Sequence, residues 1–193
     1  MSADTPRGLR LRPAVEADLA AIAALYAREV REGVATYEYD VPDDAEMRRR
    51  WHAIVDAGYP YLIAEFVGDG DAVFAGYAYA SSYRGRIGYR WTVENSVYVE
   101  PASHGRGIGR ALMQRLIEDC AALGFRQMVA VIGDGSNAAS VALHERLGFK
   151  LAGVFPGIGR KHGRWLDTVQ MVRALGDGND GEPDQNVPGL RAS

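Results

Sequence analysis

The chain has 193 residues, of which 47% are hydrophobic and 24% charged, enough apolar material for one sizeable core. Its 22 Lys and Arg against 25 Asp and Glu argue against a nucleic-acid partner, because phosphate binding needs a clustered basic excess. A single cysteine, Cys120, excludes an internal disulfide and fits a reducing compartment. No apolar run has the length of a signal peptide or membrane span, so we expect a cytoplasmic protein without a membrane partner.

The composition changes near residue 175. Residues 175–193 hold four acids against one base, and they therefore carry the whole net charge of −3. Gly and Pro are frequent in this segment, and almost nothing in it is apolar. Such a segment cannot bury enough apolar surface to offset the entropy of ordering it. We predict one globular domain over residues 8–174 and a disordered acidic tail over residues 175–193.

The chain begins with a predicted strand and two predicted helices. Leu and Arg alternate over residues 8–13, a pattern typical of a strand with one buried face. A helix follows and ends at Gly33, because apolar residues recur at steps of three and four: Leu19, Ile22, Tyr26 and Val30. A second helix is predicted from an N-cap at Asp43 or Asp44 to about Ala57. Its inward residues are expected to be Met47, Trp51, Ile54 and Val55.

Three strands are predicted next. Residues 61–67 and 72–82 are rich in aromatic and branched side chains and flank Gly68-Asp69-Gly70, which indicates an antiparallel hairpin. After an arginine-bearing connection, residues 91–99 read as another long strand that Pro101 ends.

The last third of the chain alternates helices and strands. An amphipathic helix is predicted over residues 107–123, a central strand over 127–132 and a short helix over 137–147. Two strands, 149–154 and 166–172, complete the pattern. The order predicts an α/β protein of the α+β type, in which about four helices flank a mixed, mostly antiparallel central sheet of six or seven strands.

The most informative motif lies between the strand that Pro101 ends and the helix that follows it: Ser103-His104-Gly105-Arg106-Gly107-Ile108-Gly109-Arg110. Glycines let the backbone approach a ligand closely, and N–H groups at a helix start point outward with the positive end of the helix dipole. This predicts a pyrophosphate site, to which arginines can add charge-assisted bonds. Packing is the alternative role of the glycines. A dinucleotide-binding fingerprint fits less well, because its final glycine spacing is missing and the motif follows an antiparallel stretch.

The order of strand, glycine-rich loop, helix, strand 128–132, Asn137 and segment 143–149 resembles the GNAT superfamily of acetyltransferases. More narrowly, four segments resemble the phosphinothricin acetyltransferases and their methionine sulfoximine-acetylating relatives: 91–99, 130–132, 140–145 and 161–167. The resemblance covers roughly residues 9–173. It implies the GNAT acyl-CoA N-acyltransferase fold, acetyl-CoA as cosubstrate, a small-molecule amine as substrate and a homodimer.

The resemblance also implies where acetyl-CoA binds. The pantetheine arm is expected beside the strand 97–99 and hydrogen-bonded by Asn137, with the diphosphate in the glycine-rich loop. His104 departs from the Gln or Arg that the superfamily more often has at that position. The expected cofactor-binding residues are Val97, Tyr98, Val99, His104, Gly105, Arg106, Gly107, Ile108, Gly109, Arg110, Asn137 and Ser140.

Catalytic roles follow from the resemblance as well. A neutral amine must attack the thioester, so a base is needed, and Glu94 matches the carboxylate proposed for that role, acting directly or through water. The alternative is a solvated strand glutamate. His144 stands where many members have the tyrosine that protonates the thiolate; a structural histidine is the alternative. Tyr98 is a substitute acid but is expected on the opposite face from Val97 and Val99, and the Val97 N–H is expected to stabilise the oxyanion.

Substrate recognition is less clearly encoded. Arg86 and Tyr89, before the catalytic strand, are the candidates for binding a substrate carboxylate or phosphinate. The four histidines lack partners at metal-ligand spacing, so no metal is expected. We expect acetyl transfer to the α-amine of a small amino acid or analogue, of the phosphinothricin, methionine sulfoximine or methionine sulfone type. The alternatives are a protein or peptide N-acetyltransferase and a non-catalytic acyl-CoA-binding module.

Overall fold

A computed structural model describes residues 6–68, 70–134 and 137–189, which form a seven-stranded sheet flanked by four α-helices. The strands are β1 Leu9–Pro13, β2 Tyr61–Phe66, β3 Val73–Ser82, β4 Thr92–Val99, β5 Gln127–Gly133, β6 Lys150–Lys161 and β7 Arg164–Ala174. The helices are α1 Leu19–Glu32, α2 Asp44–Val55, α3 Ile108–Ala122 and α4 Ala138–Arg146. The strand order is β1-β2-β3-β4-β5-β7-β6, and only β4 and β5 run parallel. The predicted mixed, mostly antiparallel sheet is confirmed.

The four predicted helices are confirmed. Their ends could be predicted because local signals determine them. Asp43 caps α2, and its side chain accepts a hydrogen bond from the Glu46 N–H at 2.8 Å. Gly33 ends α1, and the whole predicted stripe of that helix is buried. Gly107 precedes α3 in the left-handed conformation, with φ of 79°.

The sheet separates two apolar cores. On one face Leu112 and Leu116 of α3 belong to a core that includes Met128 of β5. On the other face α1 and α2 cover a core that includes Ile22 and Trp51. Successive residues of a strand point to opposite faces, so each side chain of β4 belongs to one of these two layers.

The hairpin of β6 and β7 is longer than predicted. The two strands meet in a tight turn in which His162 and Gly163 both have positive φ, 49° and 77°. That combination is the backbone of a two-residue hairpin turn, and the His-Gly pair is its sequence signal. β6 is an edge strand, and several apolar side chains of the hairpin are exposed: Leu151, Val154, Phe155, Ile158 and Trp165.

Residues 175–189, which belong to the predicted tail, lie against the domain. Val187 is only 1% exposed, and the Gly189 N–H donates to the Ala57 carbonyl at 2.9 Å. The Trp91 indole N–H donates to the Asp184 carbonyl at 2.7 Å. Buried Leu175 and Val187 and the Arg126 guanidinium, which contacts Asp177 and the Gly178 and Asp180 carbonyls, also hold this segment. The rest of the predicted tail, residues 190–193, lies outside the described residues.

Candidate active site

Strands β4 and β5 separate halfway along their length. They pair from Thr92 to Asn95, opposite Gln127 to Ala130, and β4 then continues to Val99. Among the described residues, positions 96–99 have ladder partners on β3 alone. The other edge of this half-strand faces a cleft, where an extended chain bearing amides can pair with it as an added strand does.

The cleft has an outer and an inner part. The outer cavity, of about 750 Å³, lies at the start of α3, and the inner cavity, of about 280 Å³, lies between β4, β5 and the loop after α1. Five residues line both cavities, so the two parts are continuous: Ala35, Val97, Tyr98, Asn137 and Ser140.

The outer cavity has the backbone of an anion site. Gly105 and Gly107 adopt φ of 73° and 79°, which brings the loop into the helix without a side chain in the way. The first N–H groups of α3 have no acceptor within the helix and carry its positive dipole. Ile108 is 1% exposed with its side chain in the core, so it can offer a ligand only its backbone.

The predicted side chains around this loop do not all face the outer cavity. Arg110 lines the outer cavity, and so does Arg146 of α4, which the sequence did not single out. The Arg106 guanidinium lies 3.7 Å from the centroid of the Phe66 ring and does not line the cavity. The ring of His104 donates from Nε2 to the Val99 carbonyl at 3.0 Å. Arg106 and His104 therefore hold the loop to the sheet in this structure.

Side chains on the second half of β4 divide between the two faces as predicted. Val97 and Val99 pack on the α3 side, whereas Tyr98 stacks on Tyr77 on the other side, with ring centroids 4.9 Å apart. Burial raises the pKa of Tyr98 well above its usual value, which makes the phenol a poorer proton donor.

Glu94 lies on the same face of β4 as Tyr98 and lines the inner cavity. Its side chain has no hydrogen-bond or ion-pair partner within the described part of the chain. Burial is the cause that raises the pKa of this carboxyl above its ordinary value. A carboxylate that is partly desolvated and unpaired can accept a proton from a group bound in the cavity.

His144 points toward β4 from the other side. It is 2% exposed, its Nδ1 donates to the Ser140 carbonyl at 2.8 Å, and its Nε2 lies 3.1 Å from Oδ1 of Asn95. Asn95 in turn donates from Nδ2 to the Val129 carbonyl at 3.2 Å. Burial lowers the pKa of His144, and the Ser140 carbonyl opposes that shift. Sequence reasoning missed Asn95, although a polar residue between inward-facing Val93 and Val97 was a usable signal.

The comparisons with known proteins agree with this geometry. The sequence profile described as "Acetyltransferase (GNAT) domain" matches residues 11–170. The chain belongs to the GNAT acetyltransferase family. A phosphinothricin N-acetyltransferase of Alcaligenes faecalis is 48% identical over 167 residues, covering 86% of this chain and 83% of that protein. An L-methionine sulfoximine/L-methionine sulfone acetyltransferase of Pseudomonas paraeruginosa is 43% identical over 179 residues, which cover 92% of this chain and 98% of that protein.

A solved GNAT structure is similar throughout. The crystal structure of a phosphinothricin acetyltransferase from Sinorhizobium meliloti in complex with acetyl-CoA superimposes with a TM-score of 0.87 at 48% identity. The superimposed region covers 93% of this GNAT chain and 95% of the Sinorhizobium meliloti chain.

Residues 35–37, in the loop after α1, form the roof of the inner cavity of this GNAT domain. The Tyr37 hydroxyl lies 3.1 Å from the Thr168 hydroxyl, and both residues line the cavity. Lys161, 2% exposed, donates from Nζ to the carbonyls of Glu29 and Thr36 at 3.1 and 2.7 Å. The β6–β7 hairpin thus holds the roof in place. Sequence reasoning missed these contacts because the partners are more than 120 residues apart.

Arg86 and Tyr89, the predicted substrate-binding pair, do not line either cavity in the described chain. Both are exposed, and Tyr89 belongs to a short 3₁₀ turn in which its ring meets Tyr83 edge-on at 5.8 Å. The guanidinium of Arg84 lies over both rings. Within this connection Tyr83, Arg84 and Tyr89 contact one another.

Neither a metal centre nor a membrane span is present among the residues that the structure describes. No three His, Cys, Asp or Glu side chains there cluster closely enough to hold an ion. Within the same ranges, no helix is both long and apolar enough to cross a bilayer.

Proposed function

We propose that this GNAT protein transfers the acetyl group of acetyl-CoA to the α-amine of a small amino acid or analogue, of the phosphinothricin, methionine sulfoximine or methionine sulfone type. The observation that carries the proposal is the unpaired, half-buried Glu94 carboxylate in a cavity continuous with the open edge of β4. The names of relatives at 43% and 48% identity support the substrate class.

Acetyl-CoA fits the residues that are present. The N–H groups of residues 105–110 suit the diphosphate, and Arg110 adds charge. The unpaired backbone of residues 97–99 suits the pantetheine amides. Asn137 and Ser140 line both cavities and so lie along the path between diphosphate and thioester. The Asn137 side-chain oxygen already accepts from the Ser140 N–H at 3.1 Å, which leaves its NH₂ group for a ligand.

The reaction needs two proton movements. The amine arrives as an ammonium ion and must lose a proton before its nitrogen can bond to the thioester carbon, and Glu94 accepts that proton directly or through a water molecule. The backbone N–H of Val97 stabilises the negative charge that develops on the carbonyl oxygen. When the carbon–sulfur bond breaks, the thiolate takes a proton, for which His144 in the cavity lining is the candidate acid.

The size of the inner cavity favours a small amine over a protein or peptide. Its volume of about 280 Å³ is roofed by residues 35–37, and Lys161 and Thr168 hold that roof. A peptide acceptor needs a long open groove, whereas the volume of this cavity suits a substrate of amino-acid size.

A substrate panel tests the function. The purified protein is incubated with acetyl-CoA and, separately, with phosphinothricin, methionine sulfoximine, methionine sulfone and a lysine-bearing peptide, and the release of thiol is followed. Turnover on at least one small amine and not on the peptide is expected. Absence of turnover on every small amine, with folded protein that binds CoA, would leave the non-catalytic acyl-CoA-binding module as the better account.

We also propose a homodimer in the cytoplasm. The edge strand β6 and Trp165 of its partner β7 expose five large apolar side chains to solvent, an unfavourable arrangement for a monomer. A second copy of this chain fits that surface because a two-fold interface needs one self-complementary patch. The single cysteine supports the compartment.

A further inference from the structure

Four groups form one line of polar contacts through the buried side of β4. The Ser140 carbonyl of α4 meets Nδ1 of His144, Nε2 of His144 meets Oδ1 of Asn95, and Nδ2 of Asn95 meets the Val129 carbonyl of β5. The distances are 2.8, 3.1 and 3.2 Å. Both side chains that link these strands and helix are at least nine-tenths buried.

This line of contacts is one hydrogen short when the His144 ring is neutral. Both ends are backbone carbonyls, which only accept, so Nδ1 of His144 and Nδ2 of Asn95 must each donate outward. The contact between Nε2 and Oδ1 then lacks a hydrogen unless the ring carries a second N–H. Rotating the Asn95 amide does not help, because it sets Oδ1 against the Val129 carbonyl instead. Only the imidazolium form of His144 satisfies every contact.

We propose that Asn95 is a positioning residue that holds a proton on Nε2 of His144, so that this ring enters the reaction as an acid. The inference rests on the proposed function. As the amine nitrogen bonds to the thioester carbon, the electron pair of the breaking carbon–sulfur bond stays on sulfur. The sulfur takes the Nε2 proton, which yields the CoA thiol and a neutral imidazole. Both side chains line the inner cavity, so sulfur can reach that proton.

No ionised side chain in the described ranges competes with Asn95 for control of the ring. Glu94 leaves β4 on the opposite face, and Glu145 and Arg146, which flank the ring on α4, are exposed. The ring also meets the edge of Phe149, an apolar neighbour, at 4.9 Å. Burial opposes the charged ring and lowers its pKa, whereas the accepting oxygens of Ser140 and Asn95 favour the charged form.

The experiment titrates His144 by NMR in the full-length protein, in Asn95→Leu and in Asn95→Asp. The chain has four histidines, and His144→Gln identifies the relevant resonance. The pKa of His144 is expected to fall in the leucine variant, which keeps the shape but not the acceptor, and to rise in the aspartate variant, which adds a charge. kcat should fall about tenfold in Asn95→Leu. The limb on which kcat declines with rising pH should move to higher pH in Asn95→Asp.

The two claims fail separately. An unchanged His144 pKa across all three proteins, or a leucine variant with the wild-type pH profile, overturns the role of Asn95 even if the enzyme turns over. Conversely, the predicted order of pKa values with no turnover on any amine sinks the proposed function and leaves the proton-holding contact intact. If Asn95→Leu does not fold, the comparison of wild type with Asn95→Asp still decides the matter.

Discussion

Glu94 and Asn95 are consecutive residues of β4, yet their side chains leave the strand on opposite faces. Glu94 enters the inner cavity beside Tyr98, whereas Asn95 meets His144 at 3.1 Å on the side of α3 and α4. The strand therefore separates the proposed proton acceptor for the amine from the proposed proton donor for the sulfur. Two groups with opposite tasks can act in one cavity without neutralising each other.

Replacing the proposed base should slow turnover without affecting the cosubstrate. Glu94→Gln keeps the size of the side chain but cannot accept a proton, so kcat should fall by about 10² or more. CoA affinity, measured by calorimetry, should stay within error, because the outer cavity is unchanged. Glu145→Gln, an exposed glutamate on α4, is the matched control and should keep wild-type kcat. Equal rates for Glu94→Gln and wild type would remove Glu94 from the mechanism.

The pKa of Glu94 predicts two dependences on pH. Burial raises this pKa above its ordinary value of 4.5. As the solution is acidified, kcat/KM should therefore begin to fall at a higher pH than it would with a solvated glutamate as the base. A raised folded-state pKa also means that ionisation costs stability, and this cost grows as pH rises from 4.5 through the folded-state pKa. Glu94→Gln should therefore raise Tm at neutral pH and leave it unchanged below pH 4.5. A lower Tm at neutral pH contradicts the shift.

The glycine-rich loop should tolerate no side chain at Gly107. Its φ of 79° strains any other residue by about 1–2 kcal/mol, so Gly107→Ala should raise the Kd for acetyl-CoA by roughly 5- to 30-fold. Gly68→Ala is the control, because that glycine has open space around it in the β2–β3 hairpin. Calorimetric titration of both variants checks this. Equal affinity in the two variants would show that the loop conformation is not needed for binding.

The exposed face of β6 predicts the oligomeric state. Ile158→Asp places a charge on a side chain that is 61% exposed, at the centre of the proposed interface, and should convert the dimer to a monomer in analytical ultracentrifugation. Val73→Asp, at a position 63% exposed in the β2–β3 hairpin, should remain dimeric. A wild-type protein that sediments as a monomer at every concentration would rule out the interface.

The segment after β7 should contribute to stability. Val187→Ala removes two buried methyl groups, which lowers the free energy of unfolding by about 1.5 kcal/mol. Chemical denaturation measures this change. Asn179→Ala, an exposed position in the same segment, should unfold at the wild-type denaturant concentration. If both variants match wild type, the segment does not stabilise the domain.

Local signals account for what could be predicted from the sequence. The apolar stripe of α1, the Asp43 cap and the Gly107 start of α3 each depend on neighbours within one or two helical turns. The His162-Gly163 turn was also local, and it was missed only because its sequence was not interpreted as a hairpin. Contacts such as Lys161 with Thr36 join residues 125 positions apart, which no periodicity records.

By itself, the sequence determined the helices, the strands, the family resemblance and the glycine-rich loop, because each is encoded by residues close together in the chain. Only the tertiary structure decided that β4 and β5 part after Asn95, that Arg86 and Tyr89 do not line the two described cavities, and that Asn95 meets His144. These relationships depend on how twisted strands and helices pack against one another, and that packing is a property of the whole domain.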